Sequence, residues 1–487
     1  MFVASDRLLL FDHFRVPYRI DGGLARDGHP LAGFARVTKA GSQAGGPSIY
    51  WPAGAPGPHG RGDVYRYGTT PLYAAVAADR ELAPRLAAVG RAWRPVARVQ
   101  DAGGRPVASV WRDANGSVVL PFDPNAAIRN LLSEAYVTAS TPGLVRRGAR
   151  AARSAYYCAR PLMPRRLQIA QRRLLSHAQA RSRFPAWPFE PALHDLCDEL
   201  FALVADFAQT PVPRLAAWPD GNLWAFVLTH DVETRAGLIA IDALRDREER
   251  AGLRSSWNLV GGRYTVDQSL VAELLSAGFE VGVHGLHHDG RDLKSRELLE
   301  ERLPAMRRHA ARWGACGFRS PATQRAWNLM PLLGFDYDSS YPDTDPFEPQ
   351  AGGCCSWLPF FNEDLVELPI TLPQDHTLFT ILRQTDASTW IDKARRLRAR
   401  GGMALLNTHP DYAAGGPLLD AYDSYLRYFE ADDTAWRALP REVSAWWRRR
   451  AASAPERVGG RWTVAGPAHG EATVELVQPP RVLALAG

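Results

Sequence analysis

Glu280-Val281-Gly282-Val283-His284-Gly285-Leu286-His287-His288-Asp289 begins as an apolar run and ends in three histidines. Val281, Val283 and the preceding Phe279 favour a strand, and Gly285 favours a turn. On a helix, the four-residue spacing of His284 and His288 would put both rings on one face. After a strand, the same residues read differently. The strand tip delivers His284, and a tight turn returns His288 beside it. Neutral imidazole is a good ligand for zinc and similar ions. His287 reads as a bystander.

Around this stretch the sequence repeats a strand–helix rhythm. Ala225–Asp231 is a continuous apolar run with polar residues at its end, the pattern of a strand buried on both faces. Further strands are expected at 255–260, 279–283, 317–321, 335–340, 365–370 and 403–409. Helices are expected at about 237–252, 266–277, 295–313, 389–400 and from Pro321 to Leu333. About seven such units predict an α/β fold, a distorted (β/α)7 barrel. Polar residues gather at the strand ends: Thr229-His230-Asp231, His284, Arg319, Asp338 and His409. In a parallel barrel those ends share the face on which active sites form.

The chain has 487 residues, 46% hydrophobic and 23% charged, which is ordinary globular composition for two or three domains. Residues 1–135 read as a β-rich α+β domain. Gly and Pro are dense between Gly22 and Gly62, and a β-meander follows over Pro95–Pro121. Arg61-Gly62-Asp63 carries no weight. Residues 136–220 read as an arginine-rich helical connector. Between 135 and 189 stand eleven arginines, Arg146 to Arg183, with no Lys, Asp or Glu. That +11 exceeds the whole chain's +6, leaving the remainder net acidic by about five. Such a segment packs on acidic parts of its own protein or on an anionic membrane surface. Nucleic acid is disfavoured, because no aromatic-interleaved or helix-turn-helix pattern accompanies the charge. Residues 221–415 are the expected barrel, and 416–487 a short C-terminal extension of helices and a β tail. No run of about 18 apolar residues suggests a spanning helix, and Met1–Asp12 lacks the pattern of a secretory leader. Five irregularly spaced cysteines, Cys354 and Cys355 adjacent, fit a reduced, cytoplasmic setting, peripheral to the inner membrane if the arginines meet lipid.

Taken in order, Asp231, His284-x-x-x-His288, Arg319-x-Pro321 and Leu406-x-x-His409 resemble the motifs of the polysaccharide deacetylase family, the NodB-homology carbohydrate esterases. The likeness covers roughly residues 222–412. Val281-Gly282-Val283-His284-Gly285, Phe318-Arg319-Ser320-Pro321 and Asp343-Thr344-Asp345-Pro346-Phe347 resemble a bacterial subgroup associated with surface polysaccharides. The resemblance implies a distorted barrel, one divalent metal ion with zinc the expected species, and hydrolysis of an N-acetyl group from an amino sugar in a glycan. It implies a metal held by Asp231, His284 and His288, His409 as general acid, and Arg319 steadying the base carboxylate, with Asp338 as a further partner. The first motif departs from the family's Thr-Phe-Asp-Asp, reading Thr229-His230-Asp231-Val232-Glu233. Aligned on Thr229, Asp231 is the base. Aligned on the metal role, Asp231 is a ligand and His230 takes the base position. Strand alternation sends Asp231 and Glu233 to one side and His230 to the other, so Glu233 is a second carboxylate, as ligand or base. The preferred assignment is Asp231 as ligand with the base shared between His230 and Glu233. Two alternatives stand beside the deacetylase: a catalytically weakened glycan-binding member of the same fold, and a barrel metal-amidase acting on a non-sugar amide.

Overall fold

The computed structural model describes residues 1–480 apart from 24–28, 44, 55–63, 140–183 and 414–415. The arginine run from Arg146 to Arg183, with the membrane contact expected of it, and Arg61-Gly62-Asp63 lie outside the described residues. The described residues form two compact units, one of 1–139, 191–216 and 450–480, the other of 184–190 and 217–449.

The second unit is built on a curled, nine-stranded sheet. Its order is Phe360–Asn362, Leu365–Glu367, Tyr337–Asp338, Gly317–Phe318, Glu280–Val283, Ser256–Leu259, Trp224–Val232 and Met403–Thr408, with Ala435–Arg437 also beside Trp224–Val232. Every pairing is parallel except that of Phe360–Asn362 with Leu365–Glu367. All nine positions of Trp224–Val232 are buried, as a strand covered on both faces requires. Beyond Leu365–Glu367 the chain turns back toward Met403–Thr408, where Leu372 N donates to Leu405 O at 3.1 Å and Thr371 Oγ1 donates to Met403 O at 2.6 Å. The amphipathic helix Leu418–Phe429 covers one face, stacking Tyr425 on Phe226 with ring centroids 5.4 Å apart.

Helices follow the strands where the sequence signals them: Arg235–Ile239 with Ile241–Arg250, Gln268–Ser276, Arg296–Trp313 and Ser388–Ala399. Ser295 caps the third, accepting from Leu298 N at 3.3 Å, and Gly314 ends it at φ +64°. The expected helix from Pro321 to Leu333 is absent; two 3-10 turns, Pro321–Thr323 and Met330–Leu333, stand there instead. Ala322 and Thr323 adopt positive φ, which a helix cannot accommodate.

The first unit carries a separate nine-stranded sheet. The meander forms as expected, with Trp93–Gln100 and Pro106–Asp113 antiparallel and Val118–Val119 alongside. The division of the chain differs from the sequence-based boundaries at 136–220 and 416–487. Helix Ala192–Ala208 belongs to this unit, and so do residues 450–480. The reason is pairing at long range: Val212–Leu215 is antiparallel to Val474–Val477. Cys197 and Cys316 are free thiols. No helix among the described residues is long and apolar enough to cross a membrane.

Candidate functional site

The parallel strands of the second unit deliver their C-terminal residues to one end of the sheet. Asp231 comes from Trp224–Val232, Asn258 from Ser256–Leu259, and Asn407 from Met403–Thr408. His284, Arg319 and His409 each follow directly on a strand. Asp231 is the centre of this group. Its Oδ1 accepts from Asn258 Nδ2 at 2.9 Å and from Arg319 Nη1 at 3.2 Å. Its Oδ2 accepts from Asn407 Nδ2 at 2.8 Å. That oxygen also lies 3.9 Å from His284 Nε2 and 4.0 Å from His409 Nε2. Burial opposes ionisation of Asp231, but His284, Arg319, His409 and the Asn258 amide hold its carboxyl below the usual range.

Glu233, His284 and His288 form a second cluster, each offering one ligand atom, all within 4.8 Å of one another. The turn expected after the strand is present. Gly285 at φ +62° and His288 at φ +53° reverse the chain, and the two imidazoles stand 5.0 Å apart, centroid to centroid. His284 Nδ1 faces the carbonyl of Arg319 at 3.1 Å. That contact fixes the proton on Nδ1 and leaves the Nε2 lone pair free. Nε2 of His284 and of His288 are both buried without a hydrogen-bond partner. His288 Nε2 comes within 3.0 Å of Glu233 Oε1. Two unsatisfied imidazole nitrogens converging on a carboxylate are the donor set of a divalent cation, so these residues fit such an ion. Burial takes the His284 pKa down to about 4, against the pull of Asp231, so the ring is neutral as a ligand must be. Burial would raise Glu233, but His288 and His409 hold it well below its ordinary value.

His409 stands against both clusters, with Nε2 3.8 Å from Glu233 Oε1. Asp375 grips it twice, accepting from His409 N at 2.8 Å and facing Nδ1 at 2.6 Å. Burial works against the charged ring, yet Asp375, with Glu233 and Asp231 behind it, raises its pKa to about 10.

Two expected site residues lie elsewhere. His230 points to the opposite side of its strand, where Nε2 meets Glu248 Oε1 at 2.6 Å and Nδ1 meets Thr408 Oγ1 at 2.8 Å. It stacks on Trp257 and is fully buried. Asp338 does not hold Arg319. It binds Ser340, while Arg319 donates to Ser339 O and Oγ, each at 2.7 Å. His287 is exposed and outside the cluster.

Asn258, Asn407 and Asp375 were not singled out from sequence. The first two sit at strand ends within runs already read as strands, which is the signal that could have found them. Asp375 follows its strand by eight residues and gave no such signal.

No family model matches the sequence and no curated protein matches it. Among solved structures, the chain is similar to a candidate polysaccharide deacetylase from Mycobacterium smegmatis. Identity is 18% and the TM-score 0.40, over 48% of this chain and 93% of that one. It is similar to an allantoinase at 15% identity and a TM-score of 0.39, over 48% and 92%. It is also similar to the peptidoglycan deacetylase PdaC from Bacillus subtilis at 13% identity and a TM-score of 0.32, over 48% and 96%.

Proposed function

We propose that the second unit is a metal-dependent hydrolase that removes an N-acetyl group from an amino sugar in a glycan or glycan precursor. One observation carries this reading. The unsatisfied Nε2 atoms of His284 and His288 converge with Glu233, beside the Asp231 carboxyl and the His409 imidazole that Asp375 grips. Amide hydrolysis needs those parts together: a cation site, a base and an acid. The ordered motifs on 231–409 supply the acetamido sugar as substrate class.

Glu233, His284 and His288 would hold the ion; Asp231, expected as a ligand, has three hydrogen bonds and is better suited as base. A divalent ion held there would supply Lewis acidity toward the acyl carbonyl and an adjacent water. Asp231 takes a proton at Oδ2, while Arg319 and Asn258 hold Oδ1 and keep the carboxylate aimed. Asp375 keeps the proton on His409 Nδ1, so His409 Nε2–H can be given to the departing amine. His230, on the far face, supports the strand and takes no part in proton transfer.

Acetate release from N-acetylglucosamine oligomers and from peptidoglycan fragments tests this, with the protein as purified, after chelation, and after zinc is restored. Release that is lost on chelation and regained with zinc supports the proposal. Release that survives chelation, or tight glycan binding without release, rejects it.

A further inference from the structure

His288 is the ligand with the least secondary structure around it. It lies in the non-helical segment between the end of strand Glu280–Val283 and helix Arg296–Trp313, at a positive φ that a histidine rarely adopts. Nothing in the strand itself fixes such a residue. The segment is held by a backbone contact, Gly262 N donating to Leu286 O at 2.8 Å, and by one cation. Arg302, from the middle of the helix, donates Nη1 to Asp292 Oδ1 at 2.7 Å and to Asp289 Oδ1 at 2.8 Å, and Nη2 to Asp289 Oδ2 at 2.7 Å. Asp292 Oδ2 in turn accepts from Leu286 N at 3.2 Å. Asp292 is 1% exposed and Arg302 9%, so their contact is sheltered from water, whereas Asp289 meets the guanidinium from the exposed side. Gly285 closes the segment on the other side. A Cβ there would stand 2.4 Å from Asp292 Oδ2 and 2.7 Å from the Pro321 ring. The guanidinium thus ties Asp289, the residue next to His288, and Asp292, which grips the backbone two residues before it, to one rigid helix.

Resting on the metal site proposed above, we infer that Arg302, through Asp289 and Asp292, is the positioning residue that sets His288 as a metal ligand. The planar fork is what the geometry uses: three donations reach two carboxylates at once. A lysine ammonium at the same place cannot span both. Partners that orient a ligand typically account for 10–100-fold in metal affinity.

The test is zinc and cobalt titration of the chelator-stripped full chain, by calorimetry and by the visible cobalt spectrum. Wild type is compared with Arg302→Gln, Arg302→Lys and Asp289→Asn. The expected result is metal affinity weakened 10–100-fold in Arg302→Gln, with a changed cobalt spectrum. Arg302→Lys recovers only part of the loss. Asp289→Asn keeps the Asp292 contact, so it folds if Arg302→Gln does not, and still weakens binding several-fold. Wild-type affinity and spectrum in Arg302→Gln or, should that variant not fold, in Asp289→Asn would overturn the inference while leaving the metal site intact. A wild-type protein that binds neither ion removes the metal site itself, a separate outcome. A wild type that binds metal but releases no acetate, with Arg302→Gln binding it 10–100-fold more weakly, supports the inference and refutes only the deacetylase reading.

Discussion

At the scale of single residues, two carboxylates two positions apart are given different work by their neighbours. Asp231 has both oxygens committed to amide and guanidinium donors, whereas Glu233 faces imidazoles with unsatisfied nitrogens. Asp231→Asn is expected to lower kcat/KM by roughly 10²–10⁴ while zinc content, measured on the purified variant, stays at the wild-type level. Glu233→Gln is expected to lose zinc, and activity with it. The proton on His409 gives a pH prediction. Asp375 raises its pKa to about 10, so the ring is charged at neutral pH and loses its proton only in alkali. Asp375→Asn removes the group that holds the charge and lowers that pKa. The alkaline limb of the kcat/KM profile should therefore move to lower pH; an unmoved limb would show that His409 is not the acid. The sequence displayed His284, His288, Arg319 and His409 by their spacing after strands. It could not separate Asp231 from Glu233, because alternation puts both on one side of the strand. What separates them are Asn258, Arg319 and Asn407, which lie 27 to 176 residues further along the chain.

At the scale of elements, neighbouring strands hold the site by close approach. A Cβ on Gly282 would sit 2.1 Å from Asn258 Oδ1, the amide that supports Asp231 from the adjacent strand. Gly282→Ala and Asn258→Ala each should cost about 1.5–3 kcal/mol, the worth of a hydrogen bond to a charged group. The double variant should cost little more than either alone, since both remove one contact. Urea midpoints of the four proteins check this. At the other end of the same sheet, Glu280 is buried under Tyr337, whose hydroxyl donates to it at 2.6 Å, and burial raises its pKa from 4.5 to about 7. The folded state therefore binds a proton that the unfolded chain has released. Stability from this group is full below pH 4.5 and falls as pH rises to about 7, by about 3 kcal/mol. Denaturant curves at pH 5 and pH 8 should show a fall in wild type that is smaller by that amount in Glu280→Gln, where Glu199 and Asp343, also raised by burial, still titrate. Strand positions were legible here from apolar runs, and so were the helices that follow them. The break after Pro321 was not legible, because Ala322 and Thr323 at positive φ are a conformation that their side chains do not advertise.

At the scale of the whole molecule, ligand binding should report on the unit that contains it. With free zinc at one hundred times its dissociation constant, the sheet unit gains about 2.7 kcal/mol. For a unit of this size that is a rise of several degrees in its thermal transition, reversed by chelator. A scan in which zinc moves no transition would place the cation site in doubt. The α/β rhythm of 221–415 could be read locally, since each strand and helix writes its own period. The make-up of the first unit could not, because it depends on a pairing between residues some 260 positions apart.

That pairing orders events during synthesis. Residues 1–139 and 191–216 leave the ribosome first, yet the strand that completes their unit, Val474–Val477, is made after all of 217–449. The nascent chain therefore has every strand and helix of the later unit in hand while the earlier one still waits for its final partner, with the backbone groups of Val212–Leu215 left unpaired until then.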